Sequence, residues 1–489
     1  MRYYDKIIWI LVLVFFSGLT LTGYWDLAAN EEPEKKQTEG SFALTVLDFG
    51  AVGDGKADDT EAIQRAVDSR IGDIHFPKGI YRITRTIVIE LDRIGPVSID
   101  GNGTARIVMA GPGPSLKFIG THEGTAGPST FKENVWQNQR MPIVDGLEIV
   151  GEHPEAVGIE VTGTMQATFT RVFVHRALHG IHLTKRNRNV IISECHLYHN
   201  RGIGIFLDRV NLHQINITNC HVSYNGGGGI VVHSGPGGVR NLQICGCDIE
   251  SNMDPDGPPT ANVLIEGFSG GVGEGTIVGC TLQHSHSAPN SANIRFIGSA
   301  EGNEPNVKNF AIADNVLSDV SVNIDLQHAR GVTIMGNTMW RGYSHDILVD
   351  NSSNIVIGPN IFDRNPSYDG APENKRGILF RDCIDCILSG MQIKDVLHKR
   401  GGLVIERCRR FNIKGCSIYN CDGCGIILDD VEHVRVSDCM ILDYRPEAKD
   451  PIALRLMKGK NNMIVGNLFG GKVEIAPQSA HIEDNYYGY

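Results

Sequence analysis

The stretch SYNGGGGIVVHSG (223–235) sets four consecutive glycines between a tyrosine and an alternating aliphatic run. Taken alone, it fits a phosphate cradle, a flexible linker or one line of a repeat. Its second half decides between them. The GIVV at 229–232 recurs as GIEV, GIHL, GIFL, NVLI, NIRF, NIDL, DILV, GILF, GLVI and GIIL. The aliphatic anchors are Ile159, Ile181, Ile205, Ile230, Val263, Ile294, Ile324, Ile347, Ile378, Leu403 and Ile426, most of them 22 to 25 residues apart and four intervals near 30. After each anchor comes a short turn and a second alternating run, such as NVII, INIT, LQIC or VRVSD.

Short period-two runs that repeat about every 24 residues describe a parallel β-helix, in which each coil hides its aliphatic side chains only when its neighbours cover them. No helix follows the glycines to supply a phosphate site. Gly229 then fills a slot that Asn or Asp takes in other coils, residue types that tolerate a left-handed backbone. Gly226, Gly227 and Gly228 leave bare backbone beside Tyr224, the expected floor of a groove. The longer coils carry insertions. Two of them, MDPDGPPTA (253–261) and DRNPSYDGAPENKR (363–376), fall just before an anchor strand and are expected to rise from the same edge.

The register also accounts for most of the twelve cysteines. Cys195, Cys220, Cys247, Cys280, Cys416 and Cys439 share one coil position with Asn315 and Asn337, as an inward-stacking column would require. Cys383 and Cys408 match on adjacent coils. CIDC and CDGC have the spacing of zinc half-sites, yet Cys421 and Cys424 align with the ordinary coil positions Asn200 and Ile203, which favours packed thiols.

Upstream, VLDFGAVGDGKADDTEAIQRAVDS (46–69) and FPKGIYRI (76–83) resemble the opening of the pectate-lyase-like superfamily, which includes polygalacturonases, rhamnogalacturonan enzymes, alginate epimerases and phage tailspikes. The resemblance, with the repeats, covers the chain from about residue 44 onward. It implies an all-β right-handed parallel β-helix, a single solenoid closed at its open end by an N-terminal capping helix. Asp58 with Glu61 is expected to form a capping box there, with Ile63, Ala66 and Val67 on the apolar face. The catalytic signatures of the polygalacturonases do not carry over. LHGIHL (178–183), with His179 and His182, is similar to their GHG element, but no NTD or RIK motif is present, and Asp429-Asp430 follows its strand. The resemblance thus implies a glycan-active superfamily and leaves the reaction open.

In a stacked solenoid, equivalent positions on successive coils lie ~4.8 Å apart. Three residues past the anchor, the column reads Thr184, Asp208, His233, Glu266. The two carboxylates would be ~9.6 Å apart, near the upper limit for an inverting glycosidase pair. Six residues before the anchor, the column reads His175, His199, Tyr224, with His284 near it. His and Tyr suit proton abstraction beside a uronate carboxyl, and the 253–261 insertion brings Asp254 and Asp256 to that edge. Beside this column, Asn200, Asn225 and Asn252 suggest a hydrogen-bonded turn ladder. His199, Tyr224, His233, Asp208, Asp254 and Glu266 are therefore the catalytic candidates. His179 and Arg201 join the basic pairs Lys375–Arg376 and Lys399–Arg400 as candidates for holding an acidic sugar, since guanidinium forks match carboxylates and sulfates.

A net charge of -11 argues against non-specific nucleic-acid binding. Arg2 and Lys6 precede an uncharged run at 7–25, which reads as a signal peptide or a membrane anchor (1–27), and a polar linker (28–40) leads to the β-helix domain (41–489). The expectation is an exported protein, with membrane association if the segment is retained. It would act on a polysaccharide, as a lyase or glycoside hydrolase. An epimerase would share the lyase's first step, and a non-catalytic glycan-binding or structural solenoid is the competing class. No cofactor is spelled out. Ca²⁺, if used, would be bound by Asp or Glu oxygens, though no loop reads as a dedicated site.

Overall fold

Every anchor read from the sequence falls in one register column of the computed structural model, which describes residues 44–488 except 125, 286, 300–303, 364–376, 398 and 399. Ile159 pairs with Ile181, Ile181 with Ile205, Ile205 with Ile230, and the parallel pairing continues through to Leu403 and Ile426. The column extends beyond the motif in both directions, to Ile87 and Leu116 upstream and Leu454 and Val473 downstream. There the flanking residues differ too much for the pattern to be read from sequence alone.

One coil shows how the chain travels. From Ile203 to Thr218 it runs along an anchor face and a second face, turns, and closes with His221–Ser223 on a third face. Gly228 then opens the next coil. Alternation turns Ile205 and Leu207 into the core, both fully buried. At roughly 1.5–3 kcal/mol for each fully buried aliphatic side chain, stacking coil on coil supplies the stability that no single coil could provide.

Two polar ladders run inside this core. Asn200 donates to Asn225, Asn225 to Asn252, Asn252 to Asn262, Asn262 to Asn293, Asn293 to Asn323 and Asn323 to Asp346, each through the side-chain amide at 2.8–3.0 Å. The turn ladder expected from Asn200, Asn225 and Asn252 is therefore present and longer than the sequence suggested. In the second ladder the thiols of Cys195, Cys220, Cys247 and Cys280 donate to main-chain carbonyls, and Asn315 and Asn337 continue the column. Cys421 and Cys424 are buried and donate to the carbonyls of Tyr419 and Ile426.

Two local expectations are corrected. Gly229 does not adopt a left-handed backbone; only Gly228 of the four glycines has a positive φ, +130°. Glycine is required at 229 for space, because a Cβ would lie 2.9 Å from the Asn252 amide nitrogen and 2.5 Å from the Asn262 carbonyl. Gly226 is constrained in the same way, with the Arg201 carbonyl 2.6 Å from its would-be Cβ. The second correction concerns α1 (Thr60–Asp68), which buries Ile63, Ala66 and Val67 as expected but forms no capping box. Asp58 accepts from the Thr60 amide and hydroxyl, Asp59 is tied to the amides of Val52 and Gly53, and Glu61 pairs with Arg85.

The N-terminal segment at 7–25 and the linker at 28–40 lie outside the described residues, as does most of the 363–376 insertion. Among the described residues no helix is long and apolar enough to cross a membrane.

Candidate functional site on the anchor face

On the outer surface of the anchor strands, β alternation sets out parallel columns of side chains. One step past the anchor stand His182, Phe206, Val231 and Leu264, which are register partners in turn. Three steps past it, Thr184 pairs with Asp208 and His233 with Glu266, and the register shifts between the two pairs just after Leu207 and Val232. The two halves of the column read from the sequence are thus register pairs in the structure. Two steps before the anchor run Ile203, Gly228, Ala261 and Ala292. An outward-facing apolar bed results, with Ile203, Phe206, Val231, Ala261, Leu264 and Ala292 packed together and buried.

Walls explain why outward residues are buried. The 253–261 insertion is stitched to the glycine run: Met253 bridges Gly227, the Asp254 amide donates to the Gly226 carbonyl, and the Thr260 hydroxyl to the Gly227 carbonyl. Arg295, buried against Asp325 at 2.7 Å, donates to the carbonyls of Thr260 and Asn290 and so pins this wall to the next loop. Beyond His233 the Ser234 hydroxyl accepts from the Phe268 amide at 3.0 Å, and the half-exposed Phe268 ring stands edge-on to His233.

Two imidazole–carboxylate pairs sit in this groove. His182 Nε2 lies 3.2 Å from Asp208 Oδ2, and His233 Nε2 lies 2.8 Å from Glu266 Oε2. Phe206 stands between them, stacked on His182 at 5.1 Å and edge-on to His233 at 5.2 Å, and Phe268 closes on His233 at 4.9 Å. His179 completes the cluster, with its ring centroid 5.4 Å from His182 and 5.2 Å from Phe206. Its Nδ1 accepts from the Ile203 amide at 3.1 Å, which leaves the proton of the neutral ring on Nε2. Burial, reinforced by His182, pushes the His179 pKa down to about 4. Gly202 permits this placement, since a Cβ there would lie 2.8 Å from the His179 ring. A carboxylate on one imidazole nitrogen fixes the tautomer and stabilises the cation formed when the other nitrogen takes a proton. The groove therefore carries one hydrogen-bonded imidazole–carboxylate pair, His182–Asp208, and one in ionic contact, His233–Glu266, on an apolar, aromatic-lined floor.

The other sequence candidates lie elsewhere. His199 and Tyr224 stack at 5.0 Å on the exposed turn after the third face, with the Tyr224 hydroxyl 3.4 Å from Glu250. His175 does not share their column. It pairs with Tyr198, because the turn at 177–180 is one residue shorter than its counterpart at 200–204. Asp254 caps the Asp256 amide within its own loop. The Arg201 guanidinium is engaged by the carbonyls of His153 and Pro154. Arg400 pairs with Glu406, and Lys375, Arg376 and Lys399 lie outside the described residues. Sequence reasoning did not assign Phe206 and Phe268 to the site. Phe206 follows an anchor within an aliphatic run, and Phe268 belongs to a loop with no repeat partner.

Three family models match consecutive parts of the chain. They are described as "Rhamnogalacturonase A/epimerase, pectate lyase-like" (residues 43–111), "Right handed beta helix region" (135–265) and "Periplasmic copper-binding protein (NosD)" (263–488). The chain is 22% identical over 426 residues to the uncharacterized protein YclG of Bacillus subtilis, covering 74% of this chain and 70% of that one. Over 61 residues it is 41% identical to plasmin and fibronectin-binding protein A of Streptococcus pneumoniae, covering 12% of this chain and 8% of that protein. Among solved structures, tailspike protein 3 of bacteriophage CBA120 is similar, with 13% identity and a TM-score of 0.47, over 90% of this chain and 61% of that one.

The copper in one family description does not suit the side chains present. Among the described residues no group of three or more His, Cys, Asp or Glu is arranged to hold a metal ion, and the groove imidazoles pair with carboxylates. The same finding leaves the calcium expectation without support.

Proposed function

This chain belongs to the pectate-lyase-like superfamily of right-handed parallel β-helices, and on that premise we propose that it is an exported enzyme that abstracts a proton from an acidic polysaccharide in the anchor-face groove. The His233–Glu266 pair carries the reading. Glu266 Oε2 lies 2.8 Å from His233 Nε2; with the carboxylate on that side of the ring, Nδ1 is the nitrogen that takes the proton next to the uronate carboxyl. The electrons of that C–H bond form a C=C bond as the glycosidic C–O bond breaks, and the leaving oxygen is protonated. His182, held by Asp208, is the second group on the same floor able to deliver that proton. Phe206 and Phe268 supply the apolar surface against which a sugar ring packs. A hydrolase reading is weaker, because Asp208 and Glu266 are each paired with an imidazole. Export is supported by the uncharged run at 7–25 and by the periplasmic description of one matching family.

A binding-only role is the second reading. It is favoured by the local 41% identity to a protein named for plasmin and fibronectin binding. The test is to incubate the protein with a panel of uronate-containing and sulfated glycans. Near-ultraviolet absorbance from an unsaturated product identifies a lyase, and uronate inversion without cleavage identifies an epimerase. New reducing ends without either identify a hydrolase. Binding with no product on any glycan establishes the binding-only role.

A further inference from the structure

Where the anchor face turns into the second face, the chain gathers cations. Arg186 and Asn211 are register partners, and so are Arg188 and His213 on the same two coils. His122, 1% exposed, reaches the same corner from a loop that also brings Phe131. The Phe131 ring lies 6.0 Å from the His122 ring and 4.4 Å under the Arg188 guanidinium. The hydrogen bonding of Arg186 is one-sided. Nη1 donates to the Asn211 side chain, which is itself fixed by donation to the Pro236 carbonyl at 2.8 Å. Its Nε and Nη2 are buried and have no partner. Those two N–H groups form the straight edge of the guanidinium, the edge that grips two coplanar oxygens. His122 Nε2 and His213 Nδ1 are also buried without a partner. Among the described residues Arg186 enters no ion pair.

A buried guanidinium with an unused donor edge is costly unless an acceptor meets it. Cationic neighbours add to that cost: burial and Arg188 lower the Arg186 pKa, and burial followed by Arg186 and Arg188 pushes His122 down to about 4. A single negative group would satisfy the open donors and offset the repulsion. Glu274 faces His213 and Glu123 is paired with Lys132, and among the described residues no carboxylate forms an ion pair with Arg186. We propose that Arg186, His122 and His213 form an oxyanion-binding site, in which the Nε–Nη2 edge of Arg186 holds two oxygens of a carboxylate, sulfate or phosphate group. Thr184 and Arg186 are two residues apart on one coil, so the site begins where the polar column of the groove ends. It stands independently of the proposed reaction, since its readout is anion binding.

Thermal unfolding of the full chain in galacturonate, sulfate or phosphate, each at an ionic strength matched with sodium chloride, tests this. At a hundred times Kd the midpoint rises by about 3 °C over the chloride control. A rise in galacturonate alone assigns the site to a sugar carboxylate, and a rise in sulfate or phosphate to a tetrahedral group. Arg186→Gln abolishes the rise. Arg186→Lys keeps the charge without the fork and weakens the anion at least tenfold, by roughly the worth of one charge-assisted hydrogen bond. Should either variant fail to unfold cooperatively, calorimetric titration of His213→Asn against the parent protein replaces it, with weaker binding expected. Equal stabilisation of the parent by chloride, or an undiminished rise in the variants, overturns the proposal.

Discussion

The anchor-face groove and the third face are built from the same residue types and arrange them differently. On the third face, His196 stacks on His221 at 5.1 Å and on Tyr198 at 5.9 Å, and His175 lies against Phe173 at 4.5 Å. Glu148 pairs with His175 and Asp248 with His221. There His196 covers His221 on the next coil, while the His175–Phe173 and His196–Tyr198 contacts each run along a single strand. In the groove, Phe206 separates the imidazoles, Phe268 tops one of them, and two loop edges rise beside an apolar bed. Histidine–carboxylate composition alone therefore does not define a site. The His175–Glu148 pair is as buried as His233–Glu266, and what sets the groove apart is the apolar bed of Phe206, Val231 and Leu264 beside its pairs.

That contrast can be broken most directly at His233. His233→Ala is expected to lower turnover by about 10²- to 10⁴-fold, the usual worth of a general base, and to leave the melting temperature nearly unchanged. The same assay on His199→Ala and Tyr224→Phe should show turnover close to that of the parent; a large loss there would move the chemistry to the third face. Arg295→Met tests the walls. It leaves buried Asp325 without its cationic partner, and unfolding stability should fall by about 3–5 kcal/mol, with the sugar-binding constant falling in parallel. Asn225→Ala cuts the amide ladder and strands buried donors and acceptors on both adjacent coils, at a cost of about 3 kcal/mol in chemical denaturation.

A further effect depends on pH. The His179 pKa is about 4 in the folded chain and near 6.5 when unfolded. The unfolded state thus takes up a proton first as the pH falls. Stability is fully present above pH 6.5 and is lost progressively toward pH 4, with His122 contributing in the same direction. Melting temperatures across this range should decline, and His179→Asn should make the decline shallower. Smallest of all, His199→Ala is expected to change stability by less than about 1 kcal/mol, as an exposed turn residue does.

The solenoid was legible because its constraint repeats: every coil must send an aliphatic anchor into the same column, so the chain states its register many times. The register pairs Thr184–Asp208 and His233–Glu266 follow from that register without further information. Legibility failed where one coil departs from the next. A turn one residue shorter at 177–180 shifted His175 out of the column assigned to it. At Gly229 the repeat points to backbone conformation, whereas the nearby Asn262 carbonyl and Asn252 amide are the cause. Phe268 and His122 come from loops with no counterpart on other coils, so nothing in the periodicity announces them. Arg186 sits at a corner where charged residues are common, and only the geometry shows that its donor edge is buried.

The handover from Asn252 to Asn262 has a consequence for how such a protein changes over time. The amide ladder closes across the base of the 253–261 insertion at 2.9 Å, so the coils on either side are stitched whether the loop is long or short. Lengthening a loop whose ends are already held adds little entropic cost, since each doubling costs only about 0.6 kcal/mol. The groove wall is in this sense an exchangeable part on a fixed chassis. The insertion can change while the anchor-face side chains and the solenoid beneath it stay in place.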